Sequence, residues 1–109
     1  MKLDADYVGR IEVGLMSEMG YHVGDTNGVK PNARRLIIID VIEGPIPLVG
    51  NPRYMSWWGK DGTKKRLQAM KSFLRDKIYS PQHRNHHRAL AEWREDLTWV
   101  EKHGEEHIR

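Results

Sequence analysis

His83, His86 and His87 are spaced i, i+3 and i+4. On a helix that spacing brings three imidazoles to one side, where they could bind a zinc ion, with Glu92, Asp96, His103 or His107 as a further ligand. Arg84 and Arg88 flank the cluster and oppose a cation, and nothing resembles HExxH. No metal site is therefore expected, and below neutral pH these imidazoles add positive charge instead. Glu92, Glu95 and Asp96 lie close to Arg88 and Arg94, with Glu92 four residues after Arg88. Surface ion pairs account for that pattern. A hydrolase needs a carboxylate cluster with a nearby Lys or His, and the spacing assembles none, so no catalytic residue and no cofactor is assigned.

The glycine-containing stretches offer phosphate rather than metal chemistry. GDTNG (24–28) is too short for a calcium loop and lacks its terminal Glu. GKDGTKK (59–65) lacks the GxxxxGK[ST] spacing of a phosphate loop. It does open a helix near Thr63, where unpaired N–H groups and the positive dipole end stand beside Lys60, Lys64, Lys65 and Arg66. The surrounding charge is a block. Residues 53–94 hold eleven Lys/Arg against three Asp/Glu, a net +8, between flanking segments of −2 and −3. Such a block attracts polyanions.

The expected function is a non-catalytic nucleic-acid-binding module, for DNA in particular. Its phosphate contacts are Arg53, Lys60, Lys64, Lys65, Arg66, Lys71, Arg75, Arg84 and Arg88, and Trp57 or Trp58 stacks on a base. The competing function is an adaptor in a bacterial or phage-encoded assembly. It would use an exposed tryptophan and Met55 as anchors and the basic charge to steer an acidic protein partner. Self-association is compatible with either, and no membrane partner is expected.

These residues need elements to hold them. A first helix is expected from Asp4 or Asp6, with Tyr7, Val8, Ile11, Leu15 and Met19 on one stripe and Gly20 as its stop. Residues 21–30 form a loop with a tight turn at Asn27–Gly28, where a short hairpin could sit. ARRLIIIDVIEG is strand-like in its β-branched run, yet Pro31 and Gly44–Pro45 bracket it as a helix start and stop, and a central, all-round apolar helix is favoured. Residues 44–62, with three prolines and four glycines, are expected to cross the fold as an extended, aromatic-bearing segment. A third helix runs from about Thr63 to Tyr79, with Leu67, Met70, Phe73, Leu74 and Ile78 inward. A fourth starts at Ser80–Pro81 and carries Leu90, Trp93, Leu97 and Val100 on one face.

The result is a mainly α, four-helix bundle over residues 1–104 with a fraying tail, 105–109. One hundred and nine residues suffice for one core, and the absence of cysteine excludes a disulfide framework. No apolar run approaches the ~20 residues of a membrane span. The polar, acidic start MKLDADYVGR is unlike a signal peptide, so a cytoplasmic protein is expected.

Four stretches in order, MGYHVGDTNG, RRLIIIDVIEGPIP, YMSWWGKDGTKKRLQAMKSFL and ALAEWREDLTWV, carry a resemblance. The chain resembles a recurring small bacterial domain, met alone or near the C-terminal end of larger proteins. That domain shows a GYxVG turn, an RRxIL-type helix, a WG…RL helix and a W-xx-DL-x-W helix. The matching residues are Gly20–Gly24, Arg34–Arg35, Trp58–Gly59, Arg66–Leu67, Trp93, Asp96–Leu97 and Trp99, within residues 15–100. The resemblance implies a compact helical domain with helices at Arg34, Thr63 and Pro81. It carries over no activity and no catalytic residue.

Overall fold

The computed structural model describes residues 14–109. Its α-helices are α1 (Leu15–Glu18), α2 (Pro31–Glu43), α3 (Pro52–Trp58), α4 (Lys64–Tyr79) and α5 (His87–His103). Short 3-10 turns follow at Pro81–His83 and Gly104–His107, and no strand occurs among the described residues. The mainly α architecture is thus as expected. The part of the first-helix stripe formed by Tyr7, Val8 and Ile11 lies outside the described residues. At its far end α1 stops as its composition dictates. Gly20 adopts φ 89°, and Tyr21, buried behind it, donates its N–H to the Met16 carbonyl at 2.8 Å. No hairpin forms over residues 21–30, which are joined by a single ladder-like bond from Val29 N–H to the His22 carbonyl, 2.9 Å.

The β-branched run of α2 is helical. Pro31 takes the first turn, and Gly44 ends the helix with its N–H on the Asp40 carbonyl at 2.9 Å. Its inward face is Arg34, Ile38, Val41 and Ile42, an i, i+4, i+7, i+8 set. Leu36 is 63% exposed, so the helix is not apolar-buried all round as its composition suggested. The crossing segment also departs from expectation. Asn51 accepts the Tyr54 N–H at 2.9 Å and Pro52 sits at the first position, so residues 52–58 coil into α3 instead of running extended.

Helices α4 and α5 form an antiparallel pair. Gly104, just past the end of α5, meets Leu67 near the start of α4 so closely that an added Cβ would lie 2.5 Å from Leu67 Cδ1. Leu67, Met70 and Leu74 of α4, Val100 of α5 and Trp58 of α3 are fully buried. Residues 105–109, expected to fray, are instead tied down. His107 Nδ1 lies 2.6 Å from Glu43 Oε2, and Arg109 donates its backbone N–H to the Gly62 carbonyl at 2.8 Å.

A buried polar knot joins the first half of the chain to α5. Arg34 and Asp96 are both fully buried. Arg34 Nε donates to Asp96 Oδ2 at 2.8 Å, and its Nη1 donates to the Val29 carbonyl at 2.7 Å and to Glu92 Oε2 at 2.9 Å. Tyr21 Oη donates to Asp96 Oδ2 at 2.5 Å, and Gly24 N–H donates to Glu92 Oε1 at 2.7 Å. Burial opposes the charge on Arg34, but the hydrogen bond and the charge of Asp96 outweigh it and hold the guanidinium protonated. Burial, followed by the Asp96 charge, keeps the Tyr21 phenol neutral. Glu92 and Asp96, expected as surface pairs, are therefore structural anchors of the 21–30 loop.

Candidate nucleic-acid interface

The basic block divides into three environments. The first is a corner where α3 turns into α4. Gly59 (φ 74°) and Gly62 (φ 69°) take left-handed conformations that reverse the chain over residues 59–63. Thr63 caps α4, accepting the Arg66 N–H at 3.2 Å while its hydroxyl donates to the Lys60 carbonyl at 2.6 Å. The Lys65 stem lies across Gly59, where an added Cβ would sit 2.7 Å from Lys65 Cγ. Lys60, Lys64 and Lys65 are exposed here, Lys71 is half-exposed two turns along α4, and Arg53 is exposed on α3. Among the described residues, none of Lys60, Lys64, Lys65 and Lys71 forms an ion pair with a carboxylate. Asp61, the acid nearest in sequence, is held by Arg109 Nη2 at 2.9 Å, whose hydrogen bond keeps its carboxyl below the usual range.

The second environment removes Arg66 from the expected contact set. It is 3% exposed, and its guanidinium faces inward. Nη1 donates to the carbonyls of Val41 at 2.5 Å and Gly44 at 3.0 Å. Nε donates to Trp58 at 3.2 Å, and Nη2 to Gly59 at 2.8 Å. These acceptors are the free carbonyls at the C-terminal ends of α2 and α3. Arg66 therefore clamps two helix ends to α4. Burial lowers its pKa, and the Asp61 charge offsets part of that.

The third environment lies at the other end of α4, about 24 Å from Thr63 for a 16-residue helix. Arg84 and Arg88 are exposed there, far from the lysine corner. Arg88 already lies 3.5 Å from Asp25 Oδ1 and 3.9 Å from Glu92 Oε1. The eleven cations of the block are thus not one patch. Arg75, midway along α4, is exposed and contacts Glu101 Oε2 at 3.3 Å. Lys77 lies 5.5 Å over the Phe73 ring, and burial lowers its pKa.

The aromatic expectations also separate. Trp58 is fully buried and cannot stack on a base or anchor a partner. Trp57 is half-buried, with its ring 5.2 Å from that of Trp58 at 83°. Met55 is half-buried, with its sulfur 3.5 Å from Val49 N. The histidines do not share a helical face. His83 sits in the 3-10 turn, His86 precedes α5 with φ −92° and ψ 71°, and only His87 is helical. His83 packs 4.9 Å from Trp93, and burial, then Lys77 and His86, lowers its pKa. Among the described residues no group of three His, Asp or Glu is arranged to hold a metal ion, and no helix is long and apolar enough to cross a membrane.

One feature of the corner escaped the charge count. The outward face of α4 continues from Lys64 through Gln68, Lys71 and Arg75 to Tyr79, which is 78% exposed. The signal was present: residues 64–75 contain no Asp or Glu.

No protein-family model, no curated protein and no solved structure matches the chain.

Proposed function

We propose that this protein is a non-catalytic nucleic-acid-binding module, with the α3–α4 corner as its contact surface. The observation that supports it most is the set of four lysines, Lys60, Lys64 and Lys65 at the corner and Lys71 two turns along α4, with no carboxylate partner among the described residues. Unpaired cations on a fixed frame are available to phosphates without first breaking an ion pair. Arg66, Thr63 and the two left-handed glycines supply the frame, and the lysines supply the charge.

The test is a binding comparison at low salt between the unchanged protein and Lys60→Ala/Lys64→Ala/Lys65→Ala, with matched thermal unfolding. Substituting exposed lysines leaves stability within about 0.5 kcal/mol. Nucleic-acid affinity should fall at least about tenfold for three lost phosphate contacts. Unchanged affinity in a folded variant would move the contact surface elsewhere.

A second function, docking of a protein partner, draws support from the loop after α2. Leu48 is 90% exposed between Pro47 and Val49, a better anchor than Trp58 or Met55. Leu48→Ala separates the two functions, because it leaves nucleic-acid affinity untouched and weakens only protein docking.

A further inference from the structure

Helices α3 and α4, joined by residues 59–63, stand in the order of a helix–turn–helix unit: a short helix, a tight glycine-containing turn and a longer second helix. We propose that α4 is a recognition helix for B-form duplex DNA, laying the row Lys64, Gln68, Lys71 and Arg75 into the major groove while α3 lies over the phosphate backbone. The assignment rests on the nucleic-acid-binding function proposed for the lysine corner and names the form of nucleic acid it takes.

Three observations carry it. First, the row is continuous. Spacings of four, three and four residues keep Lys64, Gln68, Lys71 and Arg75 within one narrow arc of α4. They run about 17 Å, which matches roughly five base pairs of duplex. A helix about 10–12 Å across fits a major groove about 12 Å wide.

Second, the row has reading chemistry as well as charge. Gln68 is exposed, and a glutamine amide can bond the N6 and N7 edge of adenine, while Lys and Arg can bond the O6 and N7 edge of guanine. Among the described residues, the one carboxylate that touches the row, Glu101, forms a solvent-exposed pair with Arg75 that exchanges for a phosphate at small cost.

Third, the alternatives lack what they need. A single-strand binder stacks bases on exposed aromatic rings. Here Trp58 is buried, Trp57 is packed edge-on against it, and on the α4 face only the terminal Tyr79 is open. Duplex RNA presents a deep, narrow major groove that excludes a helix. The clamp by Arg66 also suits a recognition element. Its bonds to the Trp58 and Gly59 carbonyls lock the end of α3 against the first turn of α4, so both helices move as one body.

The experiment measures binding of the full chain to four probes at one low salt concentration. These are a mixed-sequence DNA duplex, one of its single strands, the same sequence as duplex RNA, and the DNA duplex with its major groove filled by glucosylated hydroxymethylcytosine. The DNA duplex should bind about tenfold or more tightly than each of the other three. Gln68→Ala/Lys71→Ala should shrink the gap between the open and filled grooves while leaving the unfolding temperature unchanged. Equal binding of single strand, duplex RNA or filled-groove duplex would overturn the recognition-helix assignment and leave the nucleic-acid function standing. No binding to any of the four probes would overturn both.

Discussion

Replacing Arg66 with alanine separates structure from function most sharply, because the charge pattern offers it as a phosphate contact while the fold buries it. Its guanidinium serves the carbonyls of Val41, Gly44, Trp58 and Gly59. The bonds to Val41 and Trp58 are fully buried and out of reach of water. Leaving a buried acceptor unsatisfied costs about 1–3 kcal/mol, so these two give about 4 kcal/mol, before the lost packing of the arginine stem. In a domain of this size that shifts the unfolding midpoint by roughly 15–25 °C. Lysine should rescue little of it, since a single ammonium cannot fork to two helix ends. Urea unfolding followed by circular dichroism, with linear extrapolation, reads the difference directly. An Arg66→Ala protein within about 0.5 kcal/mol of the unchanged chain, as expected of surface substitutions, would refute the clamp.

Other perturbations should act as follows. Arg34→Met strands Asp96 and should cost about 3–5 kcal/mol in a chemical denaturation series, whereas the pair Arg34→Met/Asp96→Leu should cost clearly less than the two single changes added together. Gly59→Ala should destabilise by about 1–3 kcal/mol, because φ 74° with ψ −174° is glycine territory and the new methyl would strike the Lys65 stem. His83 is a depressed base, so the unfolded chain binds its proton first. Its contribution is complete above about pH 7 and declines as pH falls through the ordinary imidazole value of 6.5. Comparing denaturation midpoints at several pH values for the unchanged chain and His83→Asn should show a shallower pH slope in the variant.

The helices were legible where local chemistry punctuates them. Pro31 and Gly44 bracket α2, and Thr63 caps α4 within one residue of where the composition places it. Short-range rules failed where a cap hides inside a proline-rich stretch. Asn51–Pro52 starts α3 in a segment whose glycines and prolines otherwise suggest extended chain. The histidine cluster misled for a related reason: Pro81 opens a 3-10 turn, and α5 begins only at His87, so the assumed helical periodicity did not apply. Burial of charge was the least legible feature. Nothing in the types of Arg66 or Arg34 distinguishes them from their neighbours Lys65, which is exposed, and Arg35, which is half-buried. Their roles depend on carbonyls and carboxylates brought in from up to 62 residues away. Gly24, Arg34, Gly59, Arg66 and Asp96 are the parts of these two knots and their turns. Of the phosphate-binding candidates, only Arg66 belongs to either knot.

The salt dependence of binding tests the lysine corner most directly. Fluorescence anisotropy of a labelled DNA duplex, titrated from low to physiological salt, reads the number of phosphates neutralised. With Lys60, Lys64, Lys65 and Lys71 engaged, log affinity against log salt should fall with a slope steeper by about 3.6 than that of the four-alanine variant. Binding that is absent at the lowest salt, or a slope that the four substitutions leave unchanged, would contradict the nucleic-acid function.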